Sequence, residues 1–280
     1  MIKDSQTNTV YFAEQTPKHY PKKFIDLKQI IEHENLSVKV ISNTKDYYCR
    51  DYMPVQVDFD DFVQFVFRPE AYLKKEEYKY ITNHVTVSLL NKMIKPRYSP
   101  VLLDGGNIVK WKDKVIITDR VLKDNRYQFE SDKAVISQLE KDLKCKLIII
   151  PEYPKEKTGH ADGLIRFIDE NRVFINETNG EPEQEWLKEF KKVLKENNLE
   201  TIELPCPMTQ EQESAIGLYL NYLHIGNLIV IPQFNLPEDK EALDKINEIF
   251  GAENKVVGYD AHWIAEHGGV FNCCTWTVIE

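Results

Sequence analysis

The sequence predicts an α/β fold of five similar strand-and-helix units sharing one core. Two observations lead there. Amphipathic helical stretches recur at nearly constant spacing, and short β-type runs rich in Val, Ile, Phe and Tyr lie between them. The helix landmarks Phe24, Tyr78, Val135, Trp186 and Leu243 are 51 to 57 residues apart, and 280 residues divided by five gives 56. A unit of that size cannot bury a core alone, so a single domain over 1–280 is expected. An ordinary α/β domain with evenly spaced helices fits the same spacing.

The elements follow in chain order. Phe24, Leu27, Ile30 and Ile31 share one face of a helix near 21–34, and a strand follows at Ser37–Ser42. Phe62–Phe67 reads as a strand, and Tyr78, Ile81, Val85 and Leu89 mark a second helix near 75–94. Trp111 to Val115 reads as a hairpin turn into the strand Val115–Thr118. Ser131 is placed to cap a third helix carrying Val135, Leu139 and Leu143, followed by the strand Lys146–Ile150. Leu164–Ile168 and Arg172–Ile175 form a hairpin. Trp186, Phe190, Val193 and Leu194 mark the fourth helix. Leu228–Ile231 is a strand, and Leu243, Ile246, Ile249 and Phe250 mark the fifth helix, with Gly251 as its C′ residue. A final strand is expected over Val270–Val278. The polar stretch Glu152–Thr158 reads as a surface turn or a mobile loop.

Composition excludes several classes. Hydrophobic residues at 42% and aromatics at 11% argue against disorder. A net charge of -9 argues against nucleic acid as a partner and suits a cationic substrate. The Lys188–Glu196 run interleaves both signs and reads as a solvated helix face. The start of the chain has no apolar leader segment, and no apolar run approaches the roughly 20 residues of a membrane span. The five cysteines form no CxxC pair, and no HxH or HExxH spacing occurs. A cytoplasmic protein without metal or cofactor, and without a membrane partner, is expected. Its oligomeric state is left open, a homodimer included.

Four segments concentrate unusual polar residues: Cys49-Arg50-Asp51-Tyr52-Met53-Pro54, Leu103-Asp104-Gly105-Gly106-Asn107, Gly159-His160-Ala161-Asp162-Gly163, and His267 through Thr275 with Gly268, Gly269, Asn272, Cys273 and Cys274. Asp51 to Asp104 is 53 residues, Asp104 to His160 is 56, and His160 to Cys273 is 113, about two periods. Equivalent points of repeated units would gather them around one axis. A thiolate is a strong nucleophile, and a nearby imidazole supplies acid–base catalysis. Three carboxylates beside a thiolate need a cation, for which a metal ion or a guanidinium group would serve.

The segments Arg50-Asp51-Tyr52-Met53-Pro54, Asp104-Gly105-Gly106, Gly159-His160-Ala161-Asp162 and Cys273-Cys274-Thr275 resemble, in that order, those of agmatine deiminase and its peptidylarginine deiminase-like relatives. These belong to the guanidino-group-modifying (pentein) superfamily. Tyr219-Leu220-Asn221-Tyr222 is similar to a further stretch of the same relatives. The resemblance implies the pentein α/β-propeller, five ββαβ units around a pseudo-fivefold axis. It also implies a hydrolase that removes ammonia from a small guanidino compound, agmatine- or arginine-like, without a cofactor. Cys273 would be the nucleophile and His160 the acid and base. Asp104 would hold His160 and contact substrate, while Asp51 and Asp162 would bind the guanidinium. The chain departs from the pattern with Asn272 in place of a histidine, Asp104 in place of the commoner glutamate, and Tyr48 in place of a tryptophan. An amidinotransferase with the same covalent intermediate, or a non-catalytic guanidinium-binding pentein, remains the alternative.

The other chemistry-bearing residues keep structural roles. Cys49, Cys145 and Cys206 read as small core residues. Strand alternation would turn Cys274 away from the side Cys273 faces. Arg50 reads as structural. His19, His33, His84, His224, His262 and His267 have no assigned role.

Overall fold

The apolar runs Phe62–Phe67, Val115–Thr118, Arg172–Ile175 and Leu228–Ile231 form the middle strands of separate three-stranded sheets, because a strand covered on both faces needs apolar residues at consecutive positions. In the computed structural model, residues 1–69, 78–85, 87, 94–177, 184–207 and 214–280 are described. The strands are β1 (Thr9–Ala13), β2 (Ser37–Ile41), β3 (Val55–Asp58), β4 (Asp61–Val66), β5 (Arg97–Leu102), β6 (Val109–Trp111), β7 (Lys114–Thr118), β8 (Lys146–Ile150), β9 (Ile165–Phe167), β10 (Arg172–Asn176), β11 (Glu200–Leu204), β12 (Leu223–Ile225), β13 (Leu228–Gln233), β14 (Lys255–Asp260) and β15 (Thr275–Val278).

They group as β3-β4-β5, β6-β7-β8, β9-β10-β11, β12-β13-β14 and β15-β1-β2. In every sheet the first pair is antiparallel and the second parallel, so each parallel pair needs a crossover. The helices Pro21–His33, Asp132–Leu143, Gln184–Glu196 and Glu238–Phe250 make four of these crossovers. The strand pattern, one antiparallel and one parallel pair, therefore occurs five times, four of them with a crossover helix among the described residues, as the pentein fold expects. The fifth unit is split across the chain ends. Thr9 of β1 faces Val278 of β15 on one side and Ser37 of β2 on the other.

Each helix buries one stripe against its sheet. In Asp132–Leu143, Val135, Leu139 and Leu143 recur at i, i+4 and i+8 and are almost fully buried beside Val115 and Ile117 of β7. Ser131 caps it by accepting the Ala134 N–H. Each such fully buried aliphatic side chain contributes about 1.5–3 kcal/mol of burial free energy.

Several expectations are corrected. The last strand begins at Thr275 rather than Val270, because 271–274 form a turn in which Cys274 N–H donates to Val270 O. Gly251 closes its helix but keeps a right-handed φ of -64° and donates to Asn247 O, so it is not a left-handed C′ residue. Half of the helix expected over 75–94 lies outside the described residues, Leu89 among them. Tyr78–Tyr80 is a 3-10 turn, and His84, Val85 and Val87 are helical. The short strands β3, β6 and β12 and the parallel edge strands β5, β11 and β14 carry mixed polar patterns that alternation alone does not separate from turns. Among the described residues no helix is long and apolar enough to cross a membrane.

Candidate active site

A short helical turn ends within two residues of the first strand of every unit. These turns are Cys49–Tyr52, Gly105–Asn107, Ala161–Gly163, Tyr219–Asn221 and 271–274. The turns Gly105–Asn107 and Ala161–Gly163 pack together, and each contacts a further neighbour: Cys49–Tyr52 for the former, Tyr219–Asn221 for the latter. The sequence period thus becomes a cluster of five turns, carrying Asp51, Asp104, His160 with Asp162, Asn221 and Cys273.

His160 sits between two carboxylates. Its Nε2 lies 3.2 Å from Asp104 Oδ2 and its Nδ1 lies 3.9 Å from Asp51 Oδ1. Asp51 Oδ1 also accepts the Gly106 N–H at 2.9 Å. Only glycine fits at 106, since a Cβ there would fall 2.4 Å from His160 Nδ1 and 2.7 Å from Asp51 Oδ1. The Glu152–Thr158 segment is a clamp: the Glu156 carboxylate accepts the backbone N–H groups of Thr158, Gly159 and His160. It fixes the loop that carries the imidazole.

Cys273 sits on the other side of the cluster. Its Sγ lies 3.6 Å from Asp162 Oδ2 and accepts from Asn221 Nδ2 at 3.1 Å. Asp162 Oδ2 accepts from Asn272 Nδ2 at 2.7 Å, and Asn221 Nδ2 lies 3.4 Å from it. Arg50 Nε donates to Asn272 O at 2.7 Å, which ties the last turn to the first. Asn272, where the resemblance leads to a histidine, holds Asp162 in place. Cys274 is buried in the apolar core, as expected, but a turn rather than strand alternation puts it there.

The electrostatics match the geometry. Burial opposes a charge on His160, but the Asp51 and Asp104 carboxylates outweigh it and hold the ring protonated well above its ordinary range. Burial, with the Asp104 and Asp162 charges, raises Asp51 to about 7 against the pull of His160. Burial first, then Asp162 and Asp51, pushes the Cys273 thiol well above its ordinary range. A pocket of about 70 Å³ opens beside Asp51, Asp104 and His160, with Arg120, Lys157 and Thr158 in its wall.

The structure therefore brings together Asp51 with Asp104 and His160, and Asp162 with Cys273. Asn221 and Asn272 complete the second group. Asn221 had a sequence signal, the Tyr219–Tyr222 stretch 59 residues after Asp162, but nothing in that signal gave its contact with the thiol. Among the described residues, no group of three or more His, Cys, Asp or Glu could hold a metal ion. Among the described residues no cysteine is in a disulfide.

A profile of the Porphyromonas-type peptidyl-arginine deiminase family matches residues 1–278. A Streptococcus mutans relative is 26% identical over 207 residues, which are 62% of this chain and 56% of that one. The Pseudomonas aeruginosa agmatine deiminase is 22% identical over 219 residues, 66% of this chain and 59% of that one. The chain thus matches less than two thirds of the length of these curated relatives. Among solved structures, a C. jejuni agmatine deiminase with substrate bound superposes with a TM-score of 0.81 at 17% identity, covering 100% of this chain and 96% of that one. The Pseudomonas aeruginosa DDAH complexed with citrulline superposes with a TM-score of 0.56 at 13% identity, covering 97% and 99%.

Proposed function

The chain belongs to the Porphyromonas-type peptidyl-arginine deiminase family, and from that premise we propose that it hydrolyses the guanidino group of a small cationic substrate, agmatine- or arginine-like, to a ureido product and ammonia. One thiol and one imidazole among three carboxylates is the observation that supports this. A planar guanidinium, with its five N–H donors, offsets that negative charge and pairs with carboxylates in its own plane.

Asp51 and Asp162 bind the guanidinium nitrogens. The bound cation stabilises the Cys273 thiolate, whose proton leaves to solvent. Sγ attacks the guanidinium carbon, and the C–N bond to the departing amine breaks as His160 protonates it to ammonia. That leaves a covalent thiouronium on Cys273. His160, now neutral, takes a proton from a water that attacks the same carbon. The C–S bond breaks as the hydroxyl proton passes to solvent, the thiolate returns, the ureido product leaves, and His160 keeps the proton taken from water for the next cycle. Asp104 holds the His160 ring through both steps and favours its protonated form at the start and end of the cycle. The protein is read as one domain over 1–280, cytoplasmic and needing no cofactor, with nucleic acid and membrane excluded as partners and a homodimer left open.

Ammonia release from agmatine, free arginine, methylated arginines and arginyl peptides tests this, with Cys273→Ser and Cys274→Ser alongside. We expect one ammonia per ureido product, a folded but inactive Cys273→Ser, and an active Cys274→Ser. Full activity in Cys273→Ser overturns the mechanism. Transfer of the amidino group to an added amine overturns the hydrolase assignment.

A further inference from the structure

A second polar pocket, of about 40 Å³, lies where the first strands of three units meet the N-terminal turn Asp4–Gln6. The middle residues of β6, β9 and β12 are Lys110, Arg166 and His224, at equivalent places in the repeat. All three line this pocket, together with Arg50 and with Lys3 and Asp4 of the N-terminal segment. The pseudosymmetry therefore concentrates basic side chains, just as the turns concentrate acidic ones at the candidate active site. Asp162 and Asn272 form part of the wall, while Cys273 and His160 do not.

The charges do not balance. Lys3, Arg50, Lys110 and Arg166 face two carboxylates, Asp4 and Asp162. Asp4 serves Arg166 at 3.0 Å and Lys110 at 3.8 Å. Asp162 is already taken by Asn272 and Asn221. Arg50 makes one side-chain hydrogen bond among the described residues, from Nε to Asn272 O. Of the lining residues, Trp111 Nε1, His224 Nε2 and Asp4 Oδ1 are buried without a hydrogen-bond partner, and the indole N–H among them is a donor. A buried donor left unpaired costs about 1–3 kcal/mol, and unpaired buried cations cost more.

We propose that this pocket is a binding site for a small monovalent inorganic anion of the halide class, held by Arg50, Lys110 and Arg166. Excess cations and an orphaned indole donor together suit an anion, and a volume of about 40 Å³ admits an ion of that size. The site lies behind the Asp162–Asn272 wall and is separate from the guanidinium chemistry. Its occupant neutralises Arg50, which anchors the turn carrying Cys273, so anion binding stabilises the folded state by mass action.

Crystals of the wild-type protein grown in bromide test it through the anomalous signal. Thermal melts in chloride and in gluconate, at equal ionic strength and pH, give a second readout. We expect an anomalous peak among Arg50, Lys110 and Arg166. We also expect a higher Tm in chloride than in gluconate, with a dependence on concentration that saturates. Lys110→Met should remove the chloride-dependent shift. An empty pocket in bromide overturns the proposal, whatever the surface binds. So does a chloride shift that survives in Lys110→Met.

Discussion

The Asn221 amide holds Cys273 at two points. Its Nδ2 donates to Sγ at 3.1 Å and its Oδ1 accepts the Cys273 backbone N–H at 3.2 Å. Oδ1 also accepts the Val270 N–H, so one side chain sets the whole turn that presents the thiol. That donor becomes worth more once the sulfur is ionised, because a hydrogen bond to a charged group contributes about 1.5–3 kcal/mol. Asn221→Ala should therefore lower kcat about 10- to 100-fold with little change in KM. Its Cys273 should alkylate only at higher pH than in wild type. A merely structural Asn221 would change Tm and leave the pH profile of alkylation where it was.

The thiol is held neutral by burial and by Asp162 and Asp51. A cationic reagent brings the missing positive charge with it, whereas a neutral one does not. Chloroacetamidine should therefore inactivate the protein much faster than iodoacetamide, relative to their rates with a free thiol. Asp162→Asn should narrow the gap. Equal relative rates for the two reagents in wild type would show that the carboxylates do not control this thiol.

Asp51 gives substrate binding a pH dependence near neutrality. Burial and the neighbouring Asp104 and Asp162 charges raise its carboxyl to about 7. Below that pH it is protonated and cannot pair with a guanidinium, which stays charged throughout. KM should rise as pH falls through about 7 and level off above it. Steady-state kinetics between pH 5.5 and 8.5 check this, and Asp51→Asn should give a raised KM that no longer varies over the window. A KM in wild type that is flat across the window would remove Asp51 from the binding of the cation.

The period, four of the five helix stripes and four of the five site turns were legible in the sequence, because each rests on local pattern. Val135, Leu139 and Leu143 must share a face whatever surrounds them. Glycines beside Asp104 and His160 mark tight places, as a Cβ at Gly105, 2.0 Å from Arg50 O, and the φ of +70° at Gly159 show. What was not legible depends on contacts between units. Asn221 is an ordinary buried asparagine until the fourth and fifth turns meet. Lys110, Arg166 and His224 lie in strands too short to show alternation, so their common pocket appears only when the units assemble. The expected strand Val270–Val278 failed over its first five residues, Val270–Cys274, for a related reason. Its apolar residues fill the core from a turn, held by Asn221, rather than from a sheet.

Asp46 supplies a stability prediction away from the chemistry. It is 7% exposed, its Oδ1 accepts the Tyr48 N–H at 3.0 Å, and its Oδ2 is buried without a partner. Burial raises its carboxyl to about 8, with the Asp51 charge adding to the rise and the Tyr48 N–H opposing it. The unfolded chain releases this proton near pH 4 and the folded chain near 8. Between those values the folded state binds the extra proton, so the Asp46 contribution to stability falls as pH rises through the window and is constant above it. An asparagine in its place would keep the acceptor for Tyr48 and would not titrate. The Tm of Asp46→Asn relative to wild type should therefore climb from pH 5 to pH 8, while the raised carboxyl of Asp51, present in both proteins, largely cancels from the difference. A Tm difference that is the same at both ends of that range would mean that Asp46 is ionised in the fold throughout.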